Sequence, residues 1–239
     1  MKKIVLYLTL CATLLSILAA CRTAEAISGS GTVVTQTYEF TNFDEIEIGS
    51  AFTATITQGN TYSVVVRVDD NLVDTLVVTQ EENHVTIALK EGTMVSGVTL
   101  EADVTLPYLS RVNAYGAGQV QLNSFETDDI FYVDVFGAAE LRGDVDAVDM
   151  ELEARGASRL FLAGTASNVQ AKATGASSID LTGLSAIDAQ IEASGGSTVT
   201  VNIDGILDAD ADGASNIYYL GSPEMGTINT SGGSNVGQR

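Results

Sequence analysis

A thiol and a short run of carboxylates are the side chains in this sequence best placed for chemistry. Cys21 closes Leu18-Ala19-Ala20-Cys21, at the end of an apolar stretch from Ile4 to Leu18 that Lys2 and Lys3 introduce. A basic start, an apolar segment too short for a comfortable membrane span and small residues at its end are the plan of an export signal. Small residues suit the narrow pocket of a signal peptidase, and a thiol is the nucleophile that receives diacylglycerol. The segment therefore reads as a lipobox, with residues 1–20 removed and Cys21 acylated. The chain has two cysteines, and Cys11 lies in the removed part. The mature chain would hold one thiol without a partner, which acylation protects in an oxidising compartment. A thioether-linked diacylglycerol and an N-acyl chain together exceed the two hydrophobic signals that stable anchoring needs. Arg22 and Thr23 lack the Asp that retains some lipoproteins at an inner membrane. The expected location is extracytoplasmic, on the outer membrane or the outer face of the cytoplasmic membrane.

Asp208-Ala209-Asp210-Ala211-Asp212-Gly213 opens like a calcium loop, in which alternating carboxylates supply hard oxygen ligands and glycine permits the bend. Tyr219 stands at the twelfth position, where such a loop needs a bidentate glutamate. On a strand the three carboxylates line one face roughly 7 Å apart, too far for one ion to be held by all of them. A weak surface Ca2+ site, in which Glu192 of the neighbouring repeat joins Asp208, Asp210 and Asp212, is the most they offer; no other cofactor is expected. His84 is the only histidine. It cannot form a multi-histidine metal site, and no strained nucleophile elbow stands near it. No catalytic residue is assigned, and the chain reads as a non-enzyme.

The elements that carry these residues are β-strands. Removing residues 1–20 leaves 219 residues, enough for one or two domains, and the loss of Lys2 and Lys3 takes the formal net charge from −20 to −22. Such a surface repels nucleic acid and anionic headgroups, and nucleic acid is excluded as a partner. Residues 21–31 read as the lipidated Cys and a small, polar, flexible tether. Residues 32–112 are strand-rich, with alternating or β-branched runs over 32–40, 45–58, 62–69, 75–80, 84–90 and 98–106. Turns are expected at Gly59-Asn60, Asp69-Asp70-Asn71, Glu82-Asn83 and Glu91-Gly92.

Residues 113–239 repeat. Gly116, Gly137, Gly156, Gly175, Gly195, Gly213 and Gly232 recur at spacings of 21, 19, 19, 20, 18 and 19 residues, most followed by Ala or Gly and then Ser. A fixed period near twenty, with strands on both sides of a small corner, is the pattern of a solenoid whose coils stack on one another. Aligned on the glycines, positions two and four before the corner (such as Ala154 and Leu152) and four after it (such as Leu160) are apolar and face inward. Ser158, Ser177, Ser197, Ser215 and Ser234 form a hydroxyl column two residues after the corner. Tyr115, Tyr132, Phe136, Phe161 and Tyr218 take outward parity; they could form a platform for sugar rings or merely shield a β surface. The fold expected is an all-β, parallel β-helix-like solenoid with coils of about 19–20 residues, continuous over 32–239 with a strand-rich N-terminal half of the same architecture. Open solenoid ends are unpaired strand edges, so a frayed C-terminus or end-to-end association is expected.

Phe43-Asp44-Glu45-Ile46-Glu47-Ile48, Thr55-Ile56-Thr57-Gln58-Gly59, Val64-Val65-Val66, Asp69-Asp70-Asn71-Leu72, Leu106-Pro107 with Leu109, and the recurrent Gly-Ala-Ser corners resemble, in order and spacing, the family of putative auto-transporter adhesins or head GIN domain proteins. The resemblance covers nearly all of the chain after residue 20. It implies a secreted or lipidated bacterial β-solenoid and carries over no catalytic residue. The function expected is a membrane-anchored cell-envelope lipoprotein with an adhesive or envelope-structural role, whose partners are the membrane and possible envelope proteins or glycans. The alternatives are a carbohydrate-binding or carbohydrate-cleaving β-helix, and a surface sensor or partner of another envelope system.

Overall fold

The computed structural model describes residues 26–239; the signal segment and Cys21 lie outside these described residues. Alternation of β-branched and polar residues builds the first half: β1 (Ile27–Ser28), β2 (Val33–Tyr38), β3 (Glu45–Ile48), β4 (Thr53–Gln58), β5 (Ser63–Asp69), β6 (Leu76–Glu81), β7 (His84–Leu89), β8 (Val95–Ser96), β9 (Leu100–Leu106) and β10 (Arg111–Ala114). A 3-10 helix, Asp70–Thr75, follows β5 where only a turn was expected, and it buries Leu72. In the second half β11 (Gln119–Gly137), β12 (Glu140–Gly156), β13 (Arg159–Gly175) and β14 (Ser178–Ala193) each wind most of one coil. The last coils are shorter pieces: β15 (Thr198–Ile203), β16 (Ile206–Ala211), β17 (Asn216–Gly221), β18 (Glu224–Thr230) and β19 (Asn235–Gln238).

All pairings among β10 to β19 are parallel. Their register repeats the glycine period: Leu152 pairs with Ala171 and Ala171 with Ile191. The inward columns are buried as expected, Ala154, Leu160 and Ile191 among them at 0% exposure. All seven corner glycines have positive φ, between 68° and 82°. The close approach of coils makes that conformation unavailable to larger residues: a Cβ on Gly156 would lie 2.9 Å from the Gly137 carbonyl oxygen. That oxygen also accepts the Ala157 N–H at 2.7 Å, so the corner itself is part of the hydrogen-bond ladder.

The serine column stacks, although its hydroxyls do not bond to one another. Ser158, Ser177, Ser197 and Ser215 are buried, and each Oγ donates to a carbonyl of the previous coil: Val135, Ala154, Ala173 and Ala193, at 2.8 to 3.0 Å. A buried hydroxyl so satisfied contributes about 1 kcal/mol. Ser234 repeats the bond to Ala211 O at 2.8 Å. β19 keeps register with β17, β18 follows β16 with one register shift between Leu207 and Ala209, and among the described residues neither last strand pairs beyond these partners.

The N-terminal half joins this stack out of chain order. β3 pairs in parallel with both β10 and β7, and β4 with both β11 and β9. The segment expected as one strand over 45–58 is thus a coil with its own corner, where Ser50 has φ 60°. Antiparallel strands close the end: β5 on β9, β2 on β5 and β6 on β7. The last part of the expected tether is docked on this cap rather than free. β1 pairs with β8, and Asp69, 1% exposed, accepts the Gly31 N–H at 2.7 Å and the Thr99 N–H at 2.6 Å.

Candidate functional site

Strands that run into the corner glycines share one outer face, on which the side chains one, three and five residues before each corner form columns. In the column five before it stand Arg111, Tyr132, Glu151, Gln170, Gln190 and Asp208, brought side by side by the parallel register. Three adjoining clefts lie on this face. One of about 270 Å³ is bordered by Arg111, Tyr132, Glu151, Gln170, Lys172 and Glu192. The next, about 400 Å³, shares Glu151, Gln170 and Gln190 with it and extends to Asp149, Asn168, Asp188 and Ile206. A third of about 270 Å³ continues past Lys172 and Glu192 to Ser194, Asp210 and Asp212.

The edges of this groove are held by ties between coils. Arg155 reaches Asp134 at 2.5 Å and Lys172 reaches Glu192 at 3.0 Å; the second contact raises the Lys172 pKa, chiefly through its hydrogen bond. Asn168 Nδ2 donates to Asp149 Oδ1 at 2.6 Å. The middle is open: Glu151, Gln170 and Gln190 are all exposed, on register-paired strands whose backbones lie about 4.8 Å apart. Such a row offers both donors and acceptors to a ligand with many hydroxyls. In the sequence, Gln170 and Gln190 share the fifth position before their glycines, one column further out than the apolar positions two and four before the corner.

The five outward aromatics are not brought together. Tyr115 and Phe136 stack at 5.3 Å one residue before successive corners, and Tyr115 also covers Gly49, where a Cβ would lie 2.1 Å from its ring. Burial, and secondarily Glu47, raises the Tyr115 pKa. Arg155 lies 5.4 Å from the Phe136 ring and Arg111 4.2 Å from the Tyr132 ring. Phe161 and Tyr218 stand after the corner, in one column but separated by Asp180 and Thr200. Arg142 covers Phe161 at 3.8 Å, and Arg239 lies 5.9 Å from Tyr218. Ring faces are thus largely spent on neighbouring coils and guanidinium groups, which fits the shielding alternative better than a sugar platform.

The acidic run is a strand, with Ala209 and Ala211 buried. Its carboxylates are turned to separate tasks. Asp208 accepts the Thr227 N–H at 2.6 Å, and Asp212 accepts the Ser231 hydroxyl, which holds its pKa below the ordinary carboxylate value. Glu192 is register partner of Asp210 but is paired with Lys172. Among the described residues no three carboxylate, histidine or cysteine side chains are grouped as a metal would need. His84 lies on the same face as the groove, at its N-terminal end, with Nδ1 3.4 Å from Glu45 Oε2.

A parallel solenoid with a strand-rich cap and a polar groove defines a class of β-solenoid repeat proteins. Within that class, the chain belongs to the family described as "Putative auto-transporter adhesin, head GIN domain", whose model matches residues 42–223. Crystal structures share the fold. A putative adhesin from Bacteroides fragilis is 21% identical, with a TM-score of 0.82 over 90% of this chain and 100% of that one. A putative adhesin from Parabacteroides merdae is 19% identical with a TM-score of 0.67, over the same shares. A putative lipid binding protein from Parabacteroides distasonis is 18% identical with a TM-score of 0.70, again over 90% and 100%. No curated protein sequence matches the chain.

Proposed function

We propose that the chain is a non-enzymatic cell-envelope lipoprotein, anchored through Cys21, that adheres to polyhydroxylated ligands along the groove of its front face. The observation that carries this reading is the open row of Glu151, Gln170 and Gln190 shared by two adjoining clefts. A rigid stack of coils holds these groups at fixed intervals, so a repeating ligand could engage several of them with little ordering of the protein. The formal charge of −22 on the chain without residues 1–20 disfavours anionic polymers and leaves neutral glycans as the best-matched class. The family's adhesin description supports a surface location, and the lipobox residues support the anchor.

Three measurements test the reading. Soluble residues 22–239 should bind neutral glycans on an array, and the double change Gln170→Ala with Gln190→Ala should weaken a hit about tenfold, corresponding to the loss of one or two hydrogen bonds. Turnover of the bound glycan that a single Glu151→Gln change abolished would make the protein an enzyme and sink the adhesive reading. Labelled palmitate should enter the wild-type chain and not Cys21→Ala.

A further inference from the structure

The chain enters the fold along a fixed path at the cap. The Ile27 N–H donates to Met94 O at 2.8 Å, and β1 then runs beside β8. Asn71 Nδ2 holds Ser28 O at 2.9 Å, Ser30 Oγ donates to Asp70 Oδ1 at 2.5 Å, and Asp69 takes the Gly31 N–H. From Ile27 onward the path has no slack. The loop that holds it, residues 90–99, stands where the later coils have a short glycine corner, and its Gly92 and Gly97 lie in open space with positive φ. Between these glycines Met94 is 54% exposed, while Ile27 and Val95 are partly buried and packed on the core.

We infer that this end of the solenoid rests on the lipid surface, with Met94 as the side chain that enters the interface. The inference rests on the acylation of Cys21. Six residue steps separate Cys21 from Ile27, a reach of at most about 20 Å when fully extended. The lipid therefore keeps Met94, bonded to Ile27 through its carbonyl, close to the headgroups at high effective concentration. An unbranched, polarisable thioether side chain suits a disordered surface. Zwitterionic lipid is the partner, because the acidic surface disfavours anionic headgroups. The groove face then stands along the side of a column that rises from the membrane.

The experiment uses the full lipidated chain in phosphatidylcholine vesicles. A fluorophore is placed on Met94→Cys, with Asn235→Cys on the last strand as reference, and quenching by spin-labelled lipid is read beside vesicle flotation. The expected result is flotation with about threefold or greater quenching at position 94 over position 235, reduced by a flexible insert of about twenty residues after Thr23. A chain that floats with equal quenching at both positions, or none at 94, overturns the docking and leaves the anchor standing. A chain that fails to float, as Cys21→Ala should, overturns both.

Discussion

The coils up to Phe131 and those beyond it stack in the same way but are held by different means. Every buried phenylalanine among the described residues (Phe43, Phe52, Phe125 and Phe131) lies in the first group. In the second, alanines such as Ala154, Ala173, Ala193 and Ala211 fill the positions beside the corner, where positive-φ glycines and buried serines tie each coil to the last. To the parallel register that both share, the first group adds aromatic volume and antiparallel closure, whereas the second adds an aliphatic core, Leu152, Leu160 and Ile191 among it, and the corner bonds. A thin core suffices where the same bonds recur at every step, whereas a cap must fill a space that occurs once.

That contrast can be broken from either side. The largest effect should come from Phe52→Ala, which empties a fully buried site in the first group and should cost about 3–5 kcal/mol in urea unfolding. If it costs less than a change in the later coils, volume does not hold the cap. Gly156→Ala should cost about 1–2 kcal/mol for the left-handed conformation, with more from the contact with Gly137 O, and should do so without loss of any side-chain packing. A neutral result would show that corner register is not what holds the second group.

The smallest effect is local and depends on pH. The Asp69 carboxyl is held below the ordinary carboxylate range, chiefly by the Thr99 N–H and against the opposing effect of burial. A depressed folded-state pKa stabilises above the unfolded value, near 4, and that contribution is lost as pH falls through the lower folded value. The Gly31 and Thr99 amides should therefore shift together on acidification below about pH 4, in a transition that Asp69→Asn removes. Amide spectra read this directly, and a transition that persists in the variant would assign it to another group.

The same contrast explains what was legible in the sequence. The corner glycines, the inward columns and the serine column could be read because one backbone requirement recurs near every nineteenth residue. The coil of β3 and β4 could not. Its corner uses Ser50 in place of glycine, and its Ile46 pairs with Val112, more than three repeat lengths along the chain. The 3-10 helix and the pairing of β1 with β8 depend on contacts made once, among them those of Asp69, and no period announces them. Cys21, expected from the sequence as the anchor, lies outside the described residues. On the groove face the acidic run was conspicuous in the sequence, whereas the open amides of Gln170 and Gln190 emerge only when coils are set side by side.

The placing of β3 and β4 between later strands sets a timetable for the molecule. A chain synthesised from its N-terminus delivers these strands with both edges bare. One pair of neighbours, β7 and β9, is complete at Leu106, and the other, β10 and β11, only begins at Arg111. Until then no later coil can be added, because the long loop closure must precede the contacts that reward it. After Ala114 each new coil meets a finished template. This order predicts a slow start followed by orderly growth in refolding, and makes the waiting interval, with its bare apolar strands, the point at which a chaperone or a stray second chain would act.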